Sequence, residues 1–340
     1  ANNQQRILPE VPAFSPTVID LRGLAPADVE AELLELRDRL SHEVRPADVW
    51  PLFEVAVTLL DGDRVRVHLS VDALISDFAS GRILFRELSH FYENPETPLP
   101  PLEMSFRDYV LAEAAIENTE LWERSRDYWW NRLNELPPAP ELPMAKDPST
   151  IAYPKFVRHQ TTLDATSWSR LKTRAARAGL TPTGLLLAAY AETLTRWSRS
   201  PHFTLNVPRI NRLPLHPHVN NVIGEFASFT LLEVDNRTRE PFEVRARRLQ
   251  EQLWNDLSHQ YISGVRVLRE LMRRQGGMDR ALMPVVLTST LALSQDQRTT
   301  LEHLLTPTHA ISQTPQVWLD YQAEEREGAL LYNWDAVDEL

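Results

Sequence analysis

No cysteine occurs among the 340 residues, which excludes disulfides, thiolate metal sites and cysteine nucleophiles; any thiol chemistry must belong to a substrate. Long apolar runs are missing too, and no charged-then-apolar signal segment opens the chain, so the sequence reads as a cytoplasmic globular protein with no membrane partner. Positive charge is short: the net charge of -11 argues against nucleic acid as a partner, because phosphate binding asks for a basic surface. Lysine is almost absent, with Lys146, Lys155 and Lys172 the only ones among 36 basic residues, a bias that points to a GC-rich coding sequence more than to a function. No fixed-period repeat is visible. What remains is ordinary for a globular protein: 43% hydrophobic and 24% charged residues, in a length that favours two units over one. The chain begins at Ala1 without an initiator Met, as expected for part of a larger polypeptide.

The stretch that organises the chain is Asp72-Ala73-Leu74-Ile75-Ser76-Asp77-Phe78-Ala79-Ser80. Before it, Val65, Val67, Leu69 and Val71 alternate with polar residues over 64–71, a period of two that predicts a half-buried strand. After it, Leu74, Ile75, Phe78, Phe85, Leu88 and Phe91 recur at helical spacing, so the two aspartates are expected to flank the first turn of a buried helix. Taken as residues alone, Asp72 fits an N-cap and Asp77 is a charge in need of a partner. Five residues apart on a helix they point about 140° away from each other, which is poor geometry for gripping one metal ion.

Along the chain, the pattern predicts a helix over Pro26 to His42 with Val29, Leu33, Leu34, Leu36 and Leu40 as its apolar stripe, then a strand from Pro51 to Leu60 turning at Asp61-Gly62-Asp63. Residues 105–136 read as helical and rich in aromatics, a set that suits packing. The proline-dense run Leu136 to Pro143 is neither helix interior nor central strand and is the candidate linker. It is followed by a strand near Val157 to Leu163, a helix from Ala165 to Ala178 stopped by Gly179, and a helix capped by Thr181 with Pro182 at its first position, ending near Trp197. Strands are expected at His202 to Val207 and Ser228 to Val234, then one long helix from Pro241 to about Arg274, a strand from Pro284 to Leu291, a variable segment, and a hairpin of Gln316 to Glu324 with Ala329 to Trp334. The alternation is that of layered α/β proteins.

D-x-x-x-x-D-x-x-S after an apolar strand resembles the signature of heterocyclization (Cy) domains of nonribosomal peptide synthetases, in the condensation-domain superfamily, where it replaces the H-H-x-x-x-D-G of condensation domains. Further matches follow in family order: the linker as L-P-x-x-P-x-L-P, Thr181-Pro182-Thr183 with Leu186 and Trp197, Asn211-Arg212-Leu213-Pro214, Val222-Ile223-Gly224-Glu225-Phe226, Pro284-Val285-Val286-Leu287-Thr288-Ser289, the run from Ser312 to Gln322, and Asn333-Trp334-Asp335. The family's G-D-F-T reads Gly224-Glu225-Phe226-Ala227 here, keeping a carboxylate and losing a hydroxyl, and the family's opening strand and helix are not found before Ala1. The resemblance implies an α/β fold of two chloramphenicol-acetyltransferase-like α/β sandwich lobes in a V arrangement with a tunnel between them. The expected division is 1–143 for an N-terminal lobe lacking its opening elements and 144–340 for the C-terminal lobe.

The implied function is to condense a carrier-bound acyl thioester with a carrier-bound cysteine, serine or threonine and to cyclodehydrate the product to a thiazoline or oxazoline. The alternatives are an amide-forming condensation domain without ring closure, against which the missing H-H-x-x-x-D-G speaks, and a non-catalytic, partner-recruiting member of the fold. No metal and no cofactor are expected in the domain itself. Phosphopantetheine arms of upstream donor and downstream acceptor carrier domains present the substrates, beside an adenylation domain in the same polypeptide.

Ring closure and dehydration need a carboxyl group that both gives and takes protons. Asp320 is the first candidate: in a strand it shares a polar face with Gln316, Trp318 and Gln322, opposite Val317, Leu319, Tyr321 and Ala323. Thr288 is the second, as the threonine the family associates with ring closure; Ser289 has the opposite strand parity. Asn211, Ser289, Gln322 and Asp72 are supporting candidates, while Asp77 is assigned to architecture, buried and paired with Arg212. His68, His216 and His218 are read as ordinary histidines: by the resemblance His68 falls in the family's strand and not at its catalytic position, and His216-Pro217-His218 has no third ligand nearby in the sequence.

Overall fold

The computed structural model describes residues 4–275, 283–291 and 304–340, so much of the variable segment expected after Leu291 lies outside the described residues. They fall into two compact units, one ending at Ser76 and one beginning at Asp77.

In the first unit, strand β1 (Thr17–Asp20) runs parallel to β2 (Phe53–Leu60), which pairs antiparallel with β3 (Arg64–Val71) across the Gly62-Asp63 turn. Both turn residues take positive φ, which glycine accepts freely. Helix α1 (Pro26–His42) lies over the face that carries Ala56 and Thr58: Arg39 pairs with Glu54 at 2.7 Å, and Ser70 donates to the Leu40 carbonyl. Of the expected α1 stripe only Leu36 is buried. The valines and leucine of β3 point to the opposite face, where Val65, Val67 and Leu69 stay about half exposed. Their alternation therefore marks the strand correctly but not the side that α1 covers. Asp72 does not cap a helix. Its carboxylate accepts from the Leu74 backbone N–H at 2.9 Å, forming a local turn.

The second unit opens with helix α2 (Phe78–Glu93), whose N-cap is Asp77, accepting from the Ser80 N–H at 2.7 Å. The helix thus starts five residues later than an Asp72 cap implied, and its buried positions are Ser80, Ile83 and Ser89, while Phe78, Leu88 and Phe91 are exposed. Helices α3 (Phe106–Ala115) and α4 (Glu120–Arg132) follow, each with a side-chain cap, Ser105 and Thr119.

Six strands form the unit's sheet among the described residues, in the order β4 (Phe156–Leu163), β9 (Ala329–Val337), β8 (Leu319–Arg326), β7 (Val285–Ser289), β5 (His202–Ile210), β6 (Ala227–Asp235). Strand β7 is parallel to both its neighbours and the other pairings are antiparallel. Helices α5 (Ala165–Arg177), α6 (Pro182–Trp197) and α7 (Phe242–Ser258) cover one face, burying Trp168, Leu187, Phe203, Leu205, Leu232, Leu287 and Tyr321. Gly179 (φ +73°) ends α5 and Thr181 caps α6, as the sequence predicts. On the other face α4 and α8 (Gly264–Gln275) cover only the β5–β6 side, where Trp129, Leu133, Leu231, Val267 and Leu271 pack together.

The long helix expected over 241–274 is two helices. A Cβ on Gly264 would stand 2.1 Å from the Phe229 carbonyl oxygen, so α8 seats directly against the β6 backbone. The carbonyls freed at the break are taken up from outside it, His259 by the Trp129 indole N–H and Gln260 by the Arg209 guanidinium. The proline-rich run is docked: Thr204 donates its backbone N–H to Pro138 O and its hydroxyl to Pro137 O. Strand β8 begins at Leu319, and Gln316, at φ +65°, lies outside it.

Candidate functional site

Strand parity divides β7, β8 and β9 as the sequence pattern requires. Leu287, Tyr321, Ala323 and Trp334 turn toward the α5–α6 side, so Thr288, Asp320, Gln322, Asn333 and Asp335 occupy the other face. There the register puts Arg158 of β4 beside Asp335 of β9, Asp335 beside Asp320 of β8, and Gln322 between Thr288 of β7 and Asn333 of β9. The polar half of this face begins where the apolar cover of α4 and α8 stops.

Each contact follows from that register. The Thr288 hydroxyl donates to Asp320 Oδ1 at 2.9 Å, and the Gln322 amide N–H donates to Asp320 Oδ2 at 2.7 Å. The Gln322 carbonyl accepts from Arg158 and from Asn333, both at 3.0 Å. Arg158 grips Asp335 with two bonds of 2.6 Å, and Asp335, fully buried, also accepts from Gln322 and from the Ser312 N–H at 3.2 Å. Burial pushes the Asp320 carboxyl above the usual carboxylate range; the bonds from Gln322 and Thr288 oppose that, the Asp335 charge adds to it, and Arg158 offsets it in part. Asp320 is thus a carboxyl held by neutral donors beside a second carboxylate that has its own cation. Such a group can gain and lose a proton without dismantling its surroundings.

The structure brings Thr288, Asp320 and Gln322 together and leaves the other candidates elsewhere. Ser289 faces the α6 side, its hydroxyl 3.2 Å from that of Thr183. Asn211 is engaged at α3, donating to Glu113 at 3.1 Å and accepting from Arg209 at 2.5 Å. Asp72 belongs to the other unit, in the turn described above.

Asp77 and Arg212 pair at 3.1 Å, with side chains 1% and 5% exposed. Arg212 further donates to the carbonyls of Val219 and Val222 and to the Ser80 hydroxyl, and its guanidinium lies 4.0 Å over the Phe226 ring. Ser80 in turn bonds the Gly224 backbone at both its N–H and its carbonyl, so the motif around Asp77 is tied to the motif around Gly224. A Cβ on Gly224 would stand 2.3 Å from the Phe106 ring. Next to this cluster burial raises the Glu225 carboxyl to about 7, with the Asp77 charge adding and the Ala227 N–H and Arg212 opposing.

Arg158, Asn333 and Asp335 are the residues that sequence reasoning did not assign to the site. Asn333 and Asp335 could have been found by parity, since they alternate with Trp334 on one strand. Arg158 carried no such signal, because its place beside Asp335 depends on the β4–β9 register. Among the described residues no three histidine, aspartate or glutamate side chains gather as a metal site requires, and no helix is long and apolar enough to cross a membrane.

The family model for the Condensation domain matches residues 2–335. "Pyochelin synthetase PchF" of Pseudomonas aeruginosa (strain UCBPP-PA14) is 42% identical over 335 residues, covering 98% of this chain and 18% of that protein. "Phenyloxazoline synthase MbtB" of Mycobacterium tuberculosis (strain ATCC 25618 / H37Rv) is 38% identical over 341 residues, covering 97% of this chain and 23% of that protein. Among solved structures, the EpoB NRPS cyclization-docking bidomain from Sorangium cellulosum superposes with a TM-score of 0.89 at 46% identity, covering 98% of this chain and 67% of that one. The chain therefore spans about a fifth of the length of these two curated relatives.

Proposed function

The chain belongs to the Condensation domain family, and from that premise we propose that it is a heterocyclization domain, joining a carrier-bound acyl thioester to a carrier-bound cysteine, serine or threonine and closing the product to a thiazoline or oxazoline. The observation that carries the reading is Asp320, partly buried on a polar sheet face and bonded, among the described residues, by the neutral donors Thr288 and Gln322. Amide formation from a thioester is downhill and asks mainly for proximity of the amine. Ring closure is harder, since the side-chain nucleophile must add to an amide carbonyl and the resulting hydroxyl must leave. In that step Asp320 passes the proton of the nucleophile to the carbonyl oxygen as the hydroxyl adduct forms, and then passes the proton of the nitrogen to that hydroxyl as it leaves, so that water is lost and a C=N bond forms. Thr288 orients the Asp320 carboxylate through its hydroxyl.

The names of the relatives favour the ring-forming branch of the family: one is a phenyloxazoline synthase and one a cyclization domain. Two carrier domains would deliver the substrates on phosphopantetheine arms in the cytoplasm, with an adenylation domain of the same polypeptide loading the acceptor; the reaction as proposed draws on no metal or cofactor held by this domain. The boundary between two lobes at residue 143 is part of the same proposal. The test is mass spectrometry of the carrier-bound product. Loss of one water beyond amide formation supports ring closure, and a product that stops at the linear amide assigns the chain to plain condensation.

A further inference from the structure

We propose that Arg158 and Asn333 are positioning residues for ring closure: together they fix the orientation of the Gln322 amide so that it donates to Asp320 and never turns its carbonyl toward it. The inference rests on the functional reading above and deepens it.

The two ends of a glutamine amide are nearly the same size, so shape alone does not select one orientation, and hydrogen-bond chemistry must. Both groups on the carbonyl side of Gln322 are donors, Arg158 and Asn333, each at 3.0 Å. Arg158 has no acceptor to offer a reversed amide, and a reversed amide would also aim its carbonyl at the carboxylates of Asp320 and Asp335. The orientation of Arg158 is itself settled, because its fork is closed on Asp335, which is fully buried. The dependence therefore runs from Asp335 through Arg158 to Gln322 and ends on Asp320 Oδ2, while Thr288 holds Oδ1.

The consequence is electrostatic. An N–H donated to a carboxylate favours its ionised form, so a loosened Gln322 lets Asp320 hold its proton to higher pH. Among the described residues the charged and titratable groups that act with Asp320 are Asp335 and Arg158 on its own sheet face and Tyr190 of α6 from the other side. Asn333→Leu removes none of these, and Arg158→Lys keeps the positive charge.

Two variants make the test. Arg158→Lys keeps a cation opposite Asp335 but loses the second arm to Gln322, and Asn333→Leu keeps bulk, removes the other donor and leaves the Arg158–Asp335 pair intact. In the full-length polypeptide with carrier-bound substrates, the rates of appearance of the linear amide and of the dehydrated ring are followed by mass spectrometry across pH, beside the melting temperature. The acidic limb of ring closure is expected to move up by about one pH unit in each variant, the scale of one hydrogen bond to a charged group, while the amide-forming profile stays in place. A limb that does not move in either variant overturns the proposal, whether the rates fall with the melting temperature or match wild type. A wild-type protein that stops at the linear amide overturns the functional reading as well, whereas wild-type ring formation with an unmoved limb overturns the positioning role alone.

Discussion

Replacing Asp77 with alanine tests an architectural contact apart from the proposed chemistry at Asp320. In the native fold its carboxylate caps α2 through the Ser80 N–H and pairs with Arg212, both side chains being essentially removed from water. The substitution leaves the guanidinium buried against the Phe226 ring with the Val219 and Val222 carbonyls and the Ser80 hydroxyl, but without the carboxylate that offsets its charge. Breaking a buried pair by removing one member costs about 3 to 5 kcal/mol, and losing an N-cap about 1 kcal/mol. The two losses share one oxygen and do not add, so the whole effect is expected at about 3 to 5 kcal/mol, on the order of 10 °C in melting temperature for a unit of this size. Asp77→Asn keeps the cap acceptor and the bulk and is expected to lose roughly half as much. Trp129 and Trp168 are both buried in the second unit, so tryptophan fluorescence during urea unfolding reports on it. An Asp77→Ala protein that unfolds within about 1 kcal/mol of wild type would refute the argument.

At the proposed site, Asp320→Asn preserves shape but cannot exchange protons, so the linear amide thioester should accumulate while ring formation falls by about 100-fold or more, and Thr288→Ala should do the same less completely; near-native ring formation by Asp320→Asn would remove Asp320 from the mechanism. Glu225, raised to about 7 from the ordinary 4.5, holds in the folded state a proton that the unfolded chain releases. Its contribution to stability is therefore full below about 4.5 and is lost as pH rises through about 7. Glu225→Gln should flatten the stability profile across that window and be more stable than wild type at alkaline pH by about 1 kcal/mol, after discounting for partial solvent screening; parallel unfolding profiles for the two proteins would contradict this. Gly264→Ala drives a methyl group against the Phe229 carbonyl oxygen, an atom fixed in the sheet, and should cost about 1 to 3 kcal/mol in thermal unfolding, with no loss expected only if α8 can shift without consequence.

How far the sequence could be read depended on the range of the interaction that decides each feature. Thr181, Pro182 and Gly179 define where α5 stops and α6 starts because capping is settled within a few residues, and β8 declares its two faces because the period of two is local. The start of α2 was misplaced for an equally local reason: Asp72 and Asp77 are both good caps, and nothing between them says that the first closes a turn while the second begins the helix. Helices α7 and α8 look continuous in sequence because their separation is imposed by the contact of Gly264 with β6. Likewise the need of a buried Asp77 for a cation was legible from chemistry, and Arg212 meets it, but the place of Arg158 was not legible, since it depends on which β4 residue falls beside Asp335.

That register also explains why two aspartates can face each other on adjacent strands. Asp320 and Asp335 are direct cross-strand partners of β8 and β9, an arrangement that destabilises a sheet when both are ionised and uncompensated. The cation comes from the next strand, where Arg158 is the partner of Asp335 and closes both guanidinium arms on it. Among the described residues Asp320 receives no equivalent, only the hydroxyl of Thr288 and the amide of Gln322. Identical side chains one strand apart are thereby given unlike tasks. Asp335 is committed to its ion pair with a guanidinium that is largely buried. Asp320 can be protonated at the cost of reorganising neutral hydrogen bonds alone, and burial already favours that form. In the proposed mechanism Asp320 is therefore the carboxyl that exchanges the proton, and Asp335 with Arg158 is the ion pair beside it.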